Sequence, residues 1–183
     1  MTQKSSSATY EVRVRGLFRR RHIVSGPDGD LGVMRLERNR WGVIVGGRYT
    51  PETGEVLLFR RDPGLLRSQF SLWTEGREWL GASLRWSFIS REIYISTGGR
   101  PFRIVPLPGL RKGWRLIAPK TGEVARIRGR AFSRRVTIEV GRRKDLELVL
   151  FAYFLASQIM GESRWPGPEP EASPSALAAT GRS

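Results

Sequence analysis

Between Tyr10 and Val140 the chain is a succession of short runs in which apolar residues take every second position, and Gly, Pro or Asp separates one run from the next. YEVRVR (10–15) and RVTIEV (135–140) are the clearest examples. A period of two puts the apolar side chains of an extended strand on one face and its Arg and Glu on the other. The same pattern predicts strands at Leu31–Leu36, Trp41–Gly46, Glu55–Arg60, Gln69–Trp73, Glu78–Trp86, Glu92–Ser96, Pro101–Val105, Gly113–Ala118 and Glu123–Arg128. Many short strands joined by tight turns make a sandwich or a barrel, dry inside and charged outside.

One stretch echoes another. Pro51-Glu52-Thr53-Gly54-Glu55-Val56 recurs as Pro119-Lys120-Thr121-Gly122-Glu123-Val124, each after a Trp-containing strand. Proline presets φ early in a turn and glycine supplies the left-handed residue that ends it, so both copies read as hairpin tips. Turn chemistry accounts for these positions without a ligand, and the echo is consistent with a barrel of two similar halves.

The segment from Asp145 to Gly161 breaks the pattern. Leu146, Leu148 to Ala156, Ile159 and Met160 cover the whole circumference of a helix, leaving Glu147, Ser157 and Gln158 as its polar positions. Asp145 suits the N-cap, Glu147 suits the positive helix end, and Gly161 suits a left-handed stop, so the helix is expected over about 146–160. A helix apolar on every side must be surrounded by apolar material. At about 1.5 Å per residue the run reaches roughly 22 Å, short of the roughly 30 Å of a bilayer core, so no transmembrane span is expected. Outward-charged strands followed by such a helix have a natural solution, in which the sheet closes and the helix threads it.

The closing helix and the strand-turn pattern carry a family resemblance. WRLIAPKTGEVARIRG (114–129), with its aromatic strand and TGE turn, and RRKDLELVLFAYFLASQIM (142–160), with its Asp-started helix, resemble the tubby C-terminal-like superfamily, which includes tubby proteins, phospholipid scramblases and LURP-one-related proteins. The resemblance covers about residues 10–160 and its motifs are structural. It implies a mainly β fold, an antiparallel closed barrel of about 11–12 strands around a central hydrophobic C-terminal helix. It also implies activities that involve membranes and phosphoinositides. Two features depart from the scramblases: Gly141-Arg142-Arg143-Lys144 stands where they have an acidic calcium-binding segment, and their lipid-anchoring cysteine cluster is missing. Calcium-dependent scrambling is therefore not expected.

Length and composition fit one folded domain of 183 residues, 39% hydrophobic and 27% charged. Residues 1–8 are polar, and those after Gly161 mix Pro, Glu, Ser and Ala without a hydrophobic period, so a domain over 9–161 is expected between a disordered amino terminus and a disordered tail at 162–183. Thirty-two Lys and Arg against 17 Asp and Glu give a net charge of +15. The tail holds only two of the Arg and three of the Glu, so the surplus belongs to the folded part. A positive field of this size concentrates polyanions, although a basic surface also serves solubility alone. With no cysteine there is no disulfide, thiol nucleophile or thiolate metal site. The polar start MTQKSSSATY lacks the apolar core of a signal peptide, and a cytoplasmic chain, free or peripheral at a membrane, is expected.

No catalytic constellation and no cofactor motif stands out. His22 is the single histidine and follows Arg19-Arg20-Arg21, which reads as a surface histidine with no second ligand for a metal. Asp28, Asp30 and Asp62 read as turn residues and Glu11 and Glu139 as outer-face residues, so no acid/base pair emerges. Ser25-Gly26-Pro27-Asp28-Gly29-Asp30 lacks the late acidic ligand of a calcium loop and reads as a turn. The candidate ligand groups are the basic clusters Arg19-Arg20-Arg21, Arg60-Arg61, Arg111-Lys112, Arg134-Arg135 and Arg142-Arg143-Lys144, since guanidinium forks grip phosphate oxygens bidentately. Solvated loops would carry the same clusters without a ligand. The leading expectation is a non-enzymatic module binding anionic phospholipid headgroups or other phosphorylated ligands. The rival partner is nucleic acid, which six tryptophans would help to stack, and a scaffold with no specific ligand is the third reading. Exposed Trp beside Arg would favour nucleic acid; a basic concave face with buried Trp would favour lipid.

Overall fold

The computed structural model describes residues 7–16, 21–41, 44–62, 69–86, 92–107, 113–129, 134–141 and 146–162, with residues 84–86 and 159–162 described in backbone only. Twelve strands form in chain order: β1 (Ala8–Arg15), β2 (Arg21–Gly26), β3 (Gly29–Arg38), β4 (Ile44–Pro51), β5 (Leu57–Arg61), β6 (Phe70–Thr74), β7 (Trp79–Trp86), β8 (Ile93–Thr97), β9 (Arg100–Pro106), β10 (Gly113–Ala118), β11 (Gly122–Gly129) and β12 (Arg135–Val140). Each strand pairs antiparallel with the next, and β12 returns to β1, so the sheet is a closed barrel without a free edge. The helix α1 (Leu146–Glu162) follows.

Alternation sorts each strand as its sequence requires. In β12 the pattern Val136 in, Thr137 out, Ile138 in, Glu139 out, Val140 in sends the apolar set to the core, and the outward Glu139 pairs with Arg128 at 3.1 Å. Val12, Val24, Met34, Phe59, Leu72, Ile95, Ile104, Leu116 and Ile127 do the same from other strands, and the helix residues Leu148 to Ala156 complete one continuous core with them. Leu150, Phe151 and Phe154 are fully buried. The central helix thus replaces the interior that a barrel of this size would otherwise leave empty. Among the described residues no helix is long and apolar enough to cross a membrane.

The structure corrects several boundaries. β1 begins at Ala8, whose partner is Val140, inside the segment expected to be disordered. The helix runs through Gly161 to Glu162 instead of stopping at the glycine. The cap residue Asp145 and the tail from residue 163 lie outside the described residues. β4 starts at Ile44 and continues to Pro51, because Arg48, Tyr49 and Thr50 prolong the alternation, while Trp41 falls in the preceding turn. The two echo segments lie in the β4–β5 and β10–β11 hairpins, six strands apart in the twelve-strand barrel and so on opposite walls. Gly54 (φ 106°) and Gly122 (φ 71°) both take the left-handed conformation expected of them.

β2 was not anticipated, and with it falls the reading of His22 as a surface residue. His22 is 5% exposed and points inward from β2, where its Nδ1 shares a 2.6 Å hydrogen bond with the hydroxyl of Tyr153 on α1. Burial raises the Tyr153 hydroxyl well above its usual pKa, against a smaller opposing effect of Ser157, so the phenol stays protonated. This bond ties the helix to one strand by a directed contact. Replacing Tyr153 with Phe removes a partner from a buried ring nitrogen and is expected to cost about 1–3 kcal/mol in urea unfolding. Adding His22→Leu should restore part of that loss. A neutral Tyr153→Phe, or strictly additive effects in the pair, would show that the bond does not tie the helix.

Candidate anion-binding site

In an up-and-down barrel successive connections alternate between the two ends, so the end of each strand at which a residue lies follows from chain order. At the end where β1 closes and β2 opens stand Arg15, Arg21, Arg38, Arg40, Arg60, Arg61, Arg128, Arg134 and Arg135, against Glu37, Asp62 and Glu92. At the opposite end stand Asp28, Asp30, Glu52, Glu55, Glu75, Glu78 and Glu123, against Arg77, Arg100 and Lys120. The described charges are therefore segregated into an arginine end and a carboxylate end. α1 begins after β12, which runs out at the carboxylate end, so the helix dipole has its positive terminus there. That polarity favours the segregation, but a dipole effect of about half a charge fades within one turn and does not account for arginines spread over six strands.

The clusters expected from the sequence divide accordingly. Arg21, Arg60, Arg61, Arg134 and Arg135 come together at the arginine end, although Arg21, Arg60, Arg61 and Arg135 are strand residues and not loop residues. Arg19, Arg20, Arg111, Lys112, Arg142, Arg143 and Lys144 lie outside the described residues.

Strand register adds a feature that the linear sequence does not display. Arg15 of β1 lies opposite Arg21 of β2, Arg21 opposite Arg35 of β3, and Arg35 opposite Arg48 of β4. Four exposed arginines thus form one row across four strands, spanning roughly 14 Å at about 4.8 Å per strand. Arg13 and Arg135 face each other one row away, with Glu11 between them at 3.3 and 3.7 Å. Like charges directly opposite destabilise a sheet. Only Arg48 of the four has a carboxylate partner among the described residues, Glu75 at 2.7 Å. Arg15, Arg35 and Arg48 are absent from the sequence-derived candidates because none adjoins another basic residue in the chain; only the register brings them together.

Below the row, the outer faces of β2, β3 and β4 hold a shallow open groove of about 420 Å³. Ile23, Val33 and Gly32 form its floor, Arg35 and Arg48 line one end, and Asp30 and Glu52 line the other. Thr50 and Pro51 flank it. Beneath it Tyr49 donates a 2.9 Å hydrogen bond to the Leu31 carbonyl, its hydroxyl pushed up to about 12 by burial, with Glu52 and Glu147 adding to the shift.

Aromatic side chains are mostly withdrawn. Trp114 is buried, and the half-buried Trp73 donates its indole N–H to Ser71 Oγ at 2.8 Å. Trp41, in the β3–β4 turn at the arginine end, is 67% exposed, and the Arg40 guanidinium lies 5.1 Å from its ring centroid. Compared with protein-family models, curated proteins and solved structures, the chain matches none.

Proposed function

We propose that the chain is a non-enzymatic module that docks on anionic phospholipid headgroups with its arginine end and the adjoining arginine row. The observation that carries this reading is the segregation of the described charges along the barrel axis. Its arginines occupy a broad two-dimensional face around the end of a closed barrel, which suits a planar anionic surface, where each basic side chain contributes about 1 kcal/mol. Trp41 adds an amphipathic ring that projects from this face, the side chain favoured at the membrane–water boundary. The resemblance to the tubby C-terminal-like superfamily points the same way, and the implied location is cytoplasmic and peripheral to a membrane.

A specific observation favours a second reading. Arg40 over the exposed Trp41 is the arrangement named above as a mark of nucleic acid, and the arginine face is the convex outer wall of the barrel, not a concavity. Against it, Trp41 is the one exposed tryptophan described at the arginine end, since the exposed Trp79 opens β7 at the carboxylate end. Among the described residues that face therefore offers one tryptophan stacking step, worth about 1–3 kcal/mol.

Arg21→Glu is the sharpest test, because it places a carboxylate between Arg15 and Arg35. Two repulsive cross-strand pairs become attractive, so thermal stability is expected to hold or to rise by about 0.2–1 kcal/mol per pair. Binding to phosphatidylglycerol vesicles, read by co-sedimentation at low salt, should weaken about tenfold or more, since a reversal removes one favourable charge and adds an unfavourable one. Binding should also fall as salt rises. A wild-type protein that ignores anionic vesicles at low salt and binds single-stranded oligonucleotide would replace this reading with the second one.

A further inference from the structure

The groove beneath the arginine row is bipolar, and that polarity carries information about what lies in it. Along β4 the outward residues Arg48 and Thr50 lie two positions, about 6.6 Å, apart, and Glu52 follows just past the strand end at Pro51. Along β3 Arg35 lies opposite Arg48, and Asp30 sits toward the end occupied by Glu52. Two guanidinium groups therefore stand at one end of the groove, with Arg48 also paired to Glu75, and two carboxylates at the other, where Asp30 also accepts a hydrogen bond from Ser25 Oγ. Between them the floor is apolar, formed by Ile23, Val33 and Gly32.

We infer that this groove binds a phosphate ester that bears a primary amine, with the phosphate against Arg35 and Arg48 and the ammonium against Glu52 and Asp30. This deepens the lipid-docking reading and rests on it, since it names the headgroup chemistry that the arginine face selects. A headgroup with further phosphates along its length would meet the two carboxylates and be repelled. A neutral polyol would leave them without a counterion. A primary ammonium supplies both charge and three hydrogen-bond donors, and a trimethylated amine supplies the charge without the donors.

The test compares O-phosphoethanolamine with glycerol 3-phosphate, following the backbone amides of Val33 and Thr50 by NMR. Glycerol 3-phosphate carries the larger negative charge, so attraction to arginine alone would make it the tighter ligand. The inference requires the reverse order, with O-phosphoethanolamine tighter by about threefold to fivefold, the contribution of a solvent-exposed ion pair. Glu52→Gln should abolish that preference and leave glycerol 3-phosphate unaffected, and Arg35→Gln should weaken both esters. Equal affinities, or a preference that survives Glu52→Gln, would overturn the inference.

A vesicle arm separates the two sources of such an ester. At a fixed fraction of phosphatidylglycerol, vesicles completed with phosphatidylethanolamine should bind more tightly than those completed with phosphatidylcholine, at the same surface charge. If anionic vesicles bind but neither the soluble esters nor the two vesicle types are distinguished, the inference fails and the docking reading stands. If no vesicle binds but O-phosphoethanolamine still occupies the groove in preference to glycerol 3-phosphate, the docking reading fails and the site belongs to a free phosphoamine.

Discussion

Phe154→Ala is expected to destabilise the protein by about 3–5 kcal/mol, a large part of the margin on which a domain of this size rests. Phe154 is fully buried at the centre of the barrel. Its ring stacks on Phe59 of β5 at a centroid distance of 4.6 Å and meets Phe70 of β6 edge-on at 5.3 Å. Phe59 also stacks on Phe151 at 6.2 Å, so the ring belongs to a cluster that joins helix and wall. The backbone has been cleared for it: a Cβ on Gly47 of β4 would lie 3.1 Å from the Phe154 ring. Truncation would leave a cavity that the closed strands cannot collapse to fill, because their hydrogen-bonded register fixes the circumference. The midpoint of chemical denaturation should fall with an unchanged slope. A loss under about 1 kcal/mol would mean that the helix is not the core of the barrel.

How far the sequence discloses this molecule follows from the range of each signal. Alternation is local, so Thr137 and Glu139 outward and Ile138 inward could be read directly, and the all-round apolar run from Leu148 to Ala156 declared that something must enclose it. β2 escapes because its inward positions are His22 and Val24 and its outward positions Arg21 and Ile23, so each face mixes a polar with an apolar residue and the alternation is lost. The histidine is admitted to the core by a partner 131 residues away, and no local pattern foretells it. Trp41 looked like a strand residue because it precedes an apolar alternation, yet it lies in the turn before that strand.

The candidate site was legible only in part for the same reason. Runs such as Arg60-Arg61 are visible as runs, and chain order alone brings several of them to one end once the strand count is known. The row Arg15, Arg21, Arg35 and Arg48 depends on three separate registers, each irregular elsewhere or set by a turn of different length. A shift of one residue in any of them would turn an arginine inward. Register is a property of the closed sheet, so the row of four arginines is not visible in the chain.

Gly32→Ala is the second substitution expected to be severe, at about 2–5 kcal/mol from backbone strain combined with overpacking. Gly32 adopts φ 153°, and a Cβ built on it would lie 2.5 Å from the Thr50 carbonyl oxygen, 2.7 Å from Pro51 Cα and 2.8 Å from the Tyr49 hydroxyl. Two of these three neighbours are backbone atoms of the paired strand β4, so no side-chain rotation relieves the contact. The third is the hydroxyl that bonds to the Leu31 carbonyl, and moving it would remove one of the two donors to that carbonyl, the other being the Glu52 N–H at 2.9 Å. The strain should spread along the β3–β4 pairing, which also aligns Arg35 with Arg48. Gly54→Ala offers the control, since Gly54 has positive φ but open space around it, and its loss should stay near 1 kcal/mol. Amide hydrogen exchange would report the difference by residue: Gly32→Ala should lower protection at Met34, Arg35 and Arg48, and Gly54→Ala should confine its effect to the hairpin tip. Equal, mild losses in the two variants would show that β4 yields to a methyl group, and the close approach of these strands would then not be what fixes the groove floor.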